Sequence, residues 1–443
     1  MSLSRREMVA GLGALALPPS PPPPPPAGQD VRPSPPPAGV AAPVGTAPER
    51  LAEDEGFWSR VARQYRVTRD FVNLENGYYG IMPEPVRRAY HRNTDHLNEV
   101  NSYLLRTTYK DQADQVRRRI ATMLGVSMKE IALTRGGTEA LQLLIAGYRR
   151  LRPGDSVMYA DLDYHSMQYA MNWLSDRRGV RVQKLVIPEP ATRQAVLDAY
   201  AAAFLEHPRL RLLLLSHMNN RTGLVVPVRE IVAMARERGV DVIVDAAHSW
   251  GHLDFTMDDL GADFAGFSLH KWMGMPLGAG FLYIRDSRLA DIDVAFHDET
   301  FPREDIRSRV HSGTLDVAPF LTAGTALDFH DALGAAAKQA RLRFLRDRWV
   351  GQVLDIGNLE ILTPEEPAMY GTITAFRITG RTSEAENVAI ATDLMKRYRI
   401  FTVHRGGPAR GDCVRVTPAL FTTRDDVDLL ATAVRDIARR MRA

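Results

Sequence analysis

The sequence predicts an α/β fold, in which a mainly parallel central sheet has helices on both faces and a small α+β domain follows at the C-terminus. One observation is the order of segments, because short apolar runs alternate with longer segments of helical periodicity. Another is the run 210–216, which is dominated by leucine, as expected of a strand buried on both faces. A third is that polar residues follow several of these runs, where parallel sheets bind ligands.

Composition sets the first limits on function. The chain has 443 residues, of which 45% are hydrophobic and 25% charged, as in ordinary globular proteins of more than one domain. Lys and Arg number 56 against 53 Asp and Glu, so the net charge of +3 gives no electrostatic reason to expect a nucleic-acid partner. The single cysteine, Cys413, excludes an internal disulfide and argues against a cysteine-built zinc site, and no metal is expected.

The N-terminus predicts a segment outside the fold. Arg5 and Arg6 precede a short apolar run, 10–17, and this pattern resembles a twin-arginine export signal. The run is too short to span a bilayer, so no stable membrane anchor is expected. Residues 18–48 are rich in proline and alanine, which predicts a linker. We therefore expect a signal and linker over 1–50 and a periplasmic or exported protein, or a cytoplasmic one if the paired arginines are accidental.

The rest of the chain predicts two domains. The large domain, with its N-terminal segment, covers 51–320, and the small C-terminal domain covers 321–443. A long helical segment, 321–345, connects them. Helices are assigned from a periodicity near 3.6 residues, and strands from short apolar runs. The other predicted helices are 53–66, 115–124, 228–238, 384–396 and 425–441, and the predicted strands are 129–133, 155–159, 180–186, 210–216, 241–244, 263–269, 278–284, 372–378, 399–403 and 413–417.

A lysine between two apolar runs needs an explanation, because an ammonium group is strongly hydrated. Lys271 lies between the predicted strands 263–269 and 278–284 and is either a surface-loop residue or a reactive amine. An earlier run, 241–244, is followed by Asp245. Pyridoxal phosphate requires a lysine that forms a Schiff base with its aldehyde and a carboxylate for its ring nitrogen. Lys271 and Asp245 are therefore the candidate catalytic pair.

These motifs carry a family resemblance. The segment from Asp245 to His248 (DAAH) is followed by the segment from Ser268 to Lys271 (SLHK) and a glycine-bearing turn. Over about residues 70–440 the chain resembles the class V aminotransferase family of fold-type I pyridoxal-phosphate enzymes, and within it the isopenicillin N epimerase-like branch. The resemblance implies the fold-type I architecture, pyridoxal 5′-phosphate as cofactor, an amino-acid substrate and a homodimer.

The resemblance also implies roles around the cofactor ring. Lys271 would carry the cofactor and move a proton at the substrate Cα, and Asp245 would hold the ring nitrogen protonated. Asn219 and His248 would contact the phenolic oxygen. Tyr164 would stack on the ring, although an ordinary buried tyrosine is the alternative.

A second group of residues is implied at the phosphate. Gly137 and Thr138 open a predicted helix, whose free N–H groups attract an anion, although simple helix capping gives the same pattern. By resemblance, Ser268 and His270 complete this group. Thr314 lies in a segment that, in the family, reaches the cofactor of the neighbouring subunit.

Two residues are expected at the substrate. Arg415 matches the family arginine that binds the α-carboxylate through a bidentate contact, and a solvated strand arginine is the alternative. Tyr79 lies in a segment, 71–80, part of which lines the substrate mouth in the family, and a simple turn between a strand and a helix is the alternative.

The reaction type stays open among several. A cysteine desulfurase needs a mobile cysteine on the loop before the Arg415 strand, and residues 403–408 contain none, which argues against that activity. Tyr164 and the missing cysteine favour racemisation or epimerisation at Cα. The alternatives are a class V aminotransferase, a C–S or C–C lyase, or a non-catalytic exported binding protein that keeps the fold. Lys271 and Asp245 argue against the last.

Overall fold

A computed structural model of the chain describes residues 40–442. The predicted export signal lies outside these residues, as does most of the predicted linker. The sequence predicted that the fold begins at residue 51, but the packed fold begins earlier. Val40 is fully buried, and the Ala42 N–H donates to the Ala332 carbonyl at 2.8 Å. This last part of the predicted linker therefore belongs to the fold.

The helices of the described part follow the predicted order, with additional ones between them. Short 3₁₀ helices occur at Met128–Glu130, Asp286–Asp291, Ala295–His297, Ile306–Arg309 and Pro367–Met369. The α-helices are α1 (Pro48–Ala52), α2 (Glu55–Ala62), α3 (Glu84–Val100), α4 (Ser102–Thr107), α5 (Tyr109–Leu124), α6 (Gly137–Gly147), α7 (His165–Arg178), α8 (Arg193–Glu206), α9 (Val228–Glu237), α10 (Met257–Leu260), α11 (Ala318–Leu333), α12 (Ala335–Gly351), α13 (Glu384–Tyr398) and α14 (Arg424–Arg440).

The strands form a large and a small sheet and one short pair. They are β1 (Val72–Asn73), β2 (Ile131–Thr134), β3 (Ser156–Ala160), β4 (Arg181–Leu185), β5 (Leu210–Ser216), β6 (Asp241–Asp245), β7 (Phe264–Ser268), β8 (Gly280–Ile284), β9 (Leu359–Ile361), β10 (Thr374–Ile378), β11 (Ile400–Phe401), β12 (Val403–Arg405) and β13 (Cys413–Val416).

The large sheet is mainly parallel, which confirms the predicted fold class. Its strand order is β2-β8-β7-β6-β5-β3-β4. The pairs from β7 to β4 are parallel, whereas β8 is antiparallel to both of its neighbours. In β5, Leu213 and Leu215 pack into the core on one face, and Leu212 and Leu214 pack into the core on the other. The leucine-rich run is therefore explained by burial on both faces of the sheet.

The small sheet is antiparallel and has the order β12-β13-β10-β9. Helices α12, α13 and α14 pack with it around a third core, which includes Trp349, Phe376 and Val414. The N-terminal segment joins this region through β1, where Val72 pairs with Ile400 in parallel β11. The predicted small α+β C-terminal domain is therefore present, and the N-terminal segment is attached to it.

Two predicted elements are interrupted. The helical segment 321–345 is broken at Gly334, whose φ of 75° is in the region that favours glycine. Before the break, α11 packs into the large core through residues such as Phe320 and Leu327. The predicted domain boundary at residues 320 and 321 therefore falls inside a helix of the large domain. The predicted strand 399–403 is likewise split into β11 and β12.

Three long helices, α3, α7 and α8, were not predicted from the sequence. None of the helices within residues 40–442 has the length and apolar character needed to cross a bilayer. The same residues contain no group of three or more His, Cys, Asp and Glu side chains arranged to hold a metal ion.

Candidate active site

The catalytic candidates meet at one edge of the large sheet. Asp245 is the last residue of β6 and pairs with Gly266 of β7. Ser268 ends β7, and Lys271 follows in the turn that leads to β8. Because β6 and β7 are parallel neighbours, their carboxyl ends coincide, and this places the two candidates at the edge where such sheets bind ligands.

The amine of Lys271 is partly buried and hydrogen-bonded. Its Nζ lies 2.8 Å from His248 Nε2. The pKa of Lys271 is lowered to about 8, chiefly by burial and also by the positive charges of Arg415 and Arg405, while Asp245 and Glu75 oppose this shift. A neutral amine is the form that attacks an aldehyde, so this lysine becomes reactive closer to neutral pH than an exposed one.

The orientation of His248 is fixed from the other side by Trp272. The indole Nε1–H donates to His248 Nδ1 at 3.4 Å. Since indole nitrogen is only a donor, Nδ1 accepts and the ring proton of the neutral imidazole lies on Nε2, directed at Lys271. Burial, followed by the charge of Lys271, holds the pKa of His248 well below its usual range. Sequence reasoning missed Trp272, although it is adjacent to Lys271.

Asp245 has the environment that a cationic ring nitrogen would complete. Its Oδ1 accepts the Ala247 N–H at 2.9 Å, and burial raises its pKa while Lys271 acts through space to lower it. Another carboxylate, Asp163, accepts the Ser216 hydroxyl at 2.7 Å. The pKa of Asp163 is raised to about 7, chiefly by burial and also by the negative charge of Asp245. Sequence reasoning did not select Asp163.

A cradle for an anion is formed where α6 begins beside the end of β7. The Gly137 N–H donates to Ser268 Oγ at 3.1 Å. A Cβ at Gly137 would lie 2.7 Å from this oxygen, so only glycine allows the approach. Thr138 is exposed in the first turn of α6, and His270 Nδ1 lies 3.3 Å from the Ala279 carbonyl. A Cβ at Gly136 would lie 3.4 Å from His270 Cε1, so the four predicted phosphate ligands lie around one helix N-terminus, which favours negative charge.

Tyr164 and Asn219 come from neighbouring strand ends. Tyr164 is half-buried at the start of α7, with its ring centroid 4.5 Å from that of His165. The Asn219 side-chain amide donates to the Leu162 carbonyl, and its oxygen accepts the Arg221 N–H at 2.7 Å. Asn219 therefore also holds the turn after β5 against the segment that carries Tyr164.

The N-terminal segment covers the site. The Gly80 N–H donates to the His270 carbonyl at 2.9 Å, and a Cβ at Gly80 would lie only 2.1 Å from the Lys271 carbonyl. Glycine is therefore required for this close approach. Tyr79 precedes Gly80 and is 50% exposed, and its predicted role at the substrate mouth stays a prediction.

Arg415 is buried, so it is not the solvated strand arginine that the sequence left as an alternative. It is 1% exposed and its Nη2 donates to both oxygens of Glu75, at 2.5 and 2.8 Å. Sequence reasoning missed Glu75. Thr314 is exposed, and within residues 40–442 no hydrogen bond joins its hydroxyl to the other site residues. Its predicted contact with a partner subunit stays a prediction.

A partly buried lysine, a buried carboxylate and an anion-binding helix N-terminus at the carboxyl edge of a parallel sheet are the groups that a pyridoxal-phosphate enzyme needs. The model of the family described as aminotransferase class-V matches residues 82–430. The chain belongs to the class V aminotransferase family, as its motifs predicted.

Known proteins similar to the chain include isopenicillin N epimerases and cysteine desulfurases. An isopenicillin N epimerase from Streptomyces clavuligerus is 30% identical over 397 residues, which cover 85% of this chain and 97% of the relative. A probable cysteine desulfurase from Methanothermobacter thermautotrophicus is 28% identical over 405 residues, covering 85% of this chain and 97% of the relative. The solved structure of a C-DES mutant with glycine covalently linked to the PLP cofactor has a TM-score of 0.75 at 21% identity, covering 84% and 98% of the two chains. This structural likeness confirms the fold.

The cofactor of this family is pyridoxal 5′-phosphate, and the residues present fit it. Lys271 supplies the amine, Asp245 the partner of the ring nitrogen, and the Gly137 cradle the phosphate site. When bound, the cofactor withdraws electrons from the Cα of an amine-bearing substrate.

Proposed function

We propose that this protein racemises or epimerises an amino acid at Cα. The similarity to the Streptomyces isopenicillin N epimerase, over nearly the full length of that relative, carries the proposal. The amine of Lys271, with its pKa lowered to about 8, supports it because a general base works best when its pKa is near the operating pH.

The site residues would share the work as follows. Lys271 moves the proton at Cα on its side of the substrate. His248, with its proton on Nε2, would donate to the phenolic oxygen of the cofactor or to the neutral amine of Lys271. Asp245 keeps the ring nitrogen positively charged. Arg415 orients the substrate α-carboxylate, so that the bond to be broken at Cα stays aligned.

A cysteine desulfurase or C–S lyase is the second candidate, because the Methanothermobacter relative is named a probable cysteine desulfurase. This similarity weighs against our sequence-based argument against a desulfurase. That argument depends on the position of the single thiol, Cys413. Cys413 is fully buried in β13, its thiol donates to the Arg405 carbonyl at 3.4 Å, and burial raises its pKa to about 12. Such a thiol is a poor nucleophile. Lysis that does not use a protein thiol, and transamination, remain alternatives.

A panel experiment in deuterated water tests the proposal. The purified holoenzyme is incubated with L- and D-amino acids, and deuterium at Cα, inversion, keto-acid and sulfide are measured separately. We expect exchange at Cα together with inversion. Keto-acid release without inversion would identify an aminotransferase, and sulfide release from cysteine would identify a desulfurase or lyase.

Two further proposals concern the assembly and location of the enzyme. We propose a homodimer in which Thr314 contacts the partner's cofactor phosphate, as the family resemblance implies. We also propose export through the signal that contains Arg5 and Arg6. Light scattering tests the first. For the second, Arg5→Lys and Arg6→Lys together should keep a reporter fusion in the cytoplasm.

A further inference from the structure

Arg415, the arginine that is expected to bind the substrate, is already paired with a carboxylate of the protein, that of Glu75. The side chain of Glu75 is 7% exposed and that of Arg415 is 1% exposed. Besides its two contacts with Glu75, Arg415 donates from Nη1 to the Asn220 carbonyl at 2.5 Å. Gly77 lies against the guanidinium, where a Cβ would be 2.7 Å from Nη2. A substrate carboxylate can therefore reach Nη2 only by replacing Glu75.

A second arginine lies on the other side of Glu75. In the antiparallel pair β12–β13, Val403 is opposite Arg415, so Arg405 and Arg415 project from the same face of the small sheet. Arg405 Nη2 lies 3.5 Å from Glu75 Oε1. Burial, and then repulsion from Arg415, lower the pKa of Arg405 to about 10. One carboxylate is thus shared by two like charges.

This cluster adjoins the reacting amine. The charges of Arg415, Glu75 and Arg405 all contribute to the pKa of Lys271. The loop that follows Glu75 is also tied to the lysine turn by the hydrogen bond from Gly80 to the His270 carbonyl. A ligand bound through its amine at Lys271 would therefore lie close to the cluster.

We propose that Glu75 is a displaceable carboxylate that determines the substrate class. The proposal rests on the proposed function. When an α-amino acid binds, its α-carboxylate replaces Glu75 on Arg415, and Glu75 remains paired with Arg405. This exchange keeps both cations paired, whereas removing Glu75 without replacement would leave the buried charge of Arg415 uncompensated.

The proposal specifies the substrate. The two arginines balance two carboxylates, and Glu75 is one of them. A single α-carboxylate therefore completes the cluster, while a second carboxylate close to Cα would be repelled by Glu75 on Arg405. We expect amino acids with one carboxylate near Cα to be preferred over short dicarboxylic ones.

The test uses binding, measured from the visible absorption of the holoenzyme. Three probes are titrated: L-alanine, L-aspartate and ethylamine, which lacks the carboxylate of alanine. Glu75→Gln is compared with wild type and with Glu189→Gln. The control residue Glu189 pairs with a buried arginine of the same small sheet, Arg377, at 3.1 Å.

In Glu75→Gln, L-alanine should bind about tenfold more tightly, since it no longer competes with an internal carboxylate. L-Aspartate should gain more than L-alanine, because Arg405 becomes available to its second carboxylate. Ethylamine should change much less than L-alanine, because it senses only the shifted pKa of Lys271, and Glu189→Gln should behave as wild type. Weaker or unchanged binding of L-alanine relative to ethylamine would overturn the proposal, because Glu75 would then be a fixed partner of Arg415.

A second variant covers the case in which Glu75→Gln does not fold. In Arg405→Gln, the displaced Glu75 has no other cation, so L-alanine should bind about tenfold more weakly, while ethylamine binding should change much less. Equal effects on both probes would contradict the proposal. If wild type shows no cofactor band and no response to ethylamine, the proposed function itself fails. A response to ethylamine, with carboxylate discrimination that these variants leave unchanged, removes only the role of Glu75.

Discussion

Two lysines of this protein share the same immediate chemistry. Lys271 Nζ lies 2.8 Å from His248 Nε2, and Lys338 Nζ lies 3.2 Å from His330 Nδ1. In each pair the histidine is buried, and burial is the largest cause that lowers the pKa of each lysine to about 8. By these criteria alone, either amine could be the reactive one.

Their surroundings separate them. Lys271 follows a parallel strand, beside the buried carboxylate of Asp245 and the anion cradle at Gly137. Lys338 lies inside α12, next to Ala337 of an apolar cluster, and the carboxylates of Asp331 and Asp254 act on it only through space. A lowered pKa therefore identifies a buried amine, and the neighbouring groups decide whether that amine takes part in catalysis.

The largest predicted effect comes from removing each lysine in turn. Lys271→Ala should lose covalent attachment of the cofactor, and exchange at Cα should fall by at least about 10³-fold, since general-base catalysis is lost as well. Lys338→Met should keep exchange within a few-fold of wild type. Exchange is measured by NMR in deuterated water. A comparable loss of exchange at Cα in Lys338→Met would show that the two lysines do not differ in their role.

The neighbouring carboxylates give the next largest effect. Asp245→Asn should reduce exchange by about 10²-fold or more, because a neutral amide does not stabilise a positively charged ring nitrogen. Asp254→Asn is the matched control, since Asp254 raises the pKa of Lys338 and is exposed. It should leave exchange unchanged. Equal rates for the two variants would show that Asp245 has no part in the reaction.

Site residues that lie close to one another in the sequence could be predicted, whereas contacts between distant residues could not. Lys271, Asp245 and Ser268 lie in short segments with a recognisable spacing, and the structure brings them together. Glu75 and Arg415 are 340 residues apart, and their contact depends on how the N-terminal segment packs against the small domain. No local pattern in the sequence signals such a pair.

The fold was predictable to a similar degree. The strand 210–216 was predicted with its observed limits, because burial on both faces leaves a continuous apolar run. The helix break at Gly334 was missed, because helical periodicity continues on both sides of it. Lys338 was not selected either, since its burial arises from the packing of α11 and α12.

A smaller effect is predicted where the N-terminal segment contacts the lysine turn. Gly80→Ala places a Cβ 2.1 Å from the Lys271 carbonyl, so one of the two segments must shift. We expect a loss of about 1–3 kcal/mol in the free energy of unfolding, measured with denaturant, together with weaker substrate binding. Gly351→Ala is the control, because no atom lies within 4 Å of its added Cβ. Similar results for both variants would mean that the close approach at Gly80 does not constrain the site.

The smallest predicted effect is a pH dependence that belongs to Lys271 alone. Only the neutral amine captures the aldehyde, and its pKa is about 8. The rate at which the apoenzyme binds pyridoxal phosphate should therefore rise with pH and level off above about 8, as followed by stopped-flow absorbance. Lys338→Met should show the same midpoint. A midpoint that moves in this variant would mean that the two lysines titrate together.

The most direct test of the central claim asks which amine carries the cofactor. The holoenzyme is reduced with borohydride, digested, and the labelled peptide is identified by mass spectrometry. We predict a single label on Lys271. A label on Lys338, whose pKa is likewise lowered to about 8, would contradict the account, because a lowered pKa alone would then select the reactive amine.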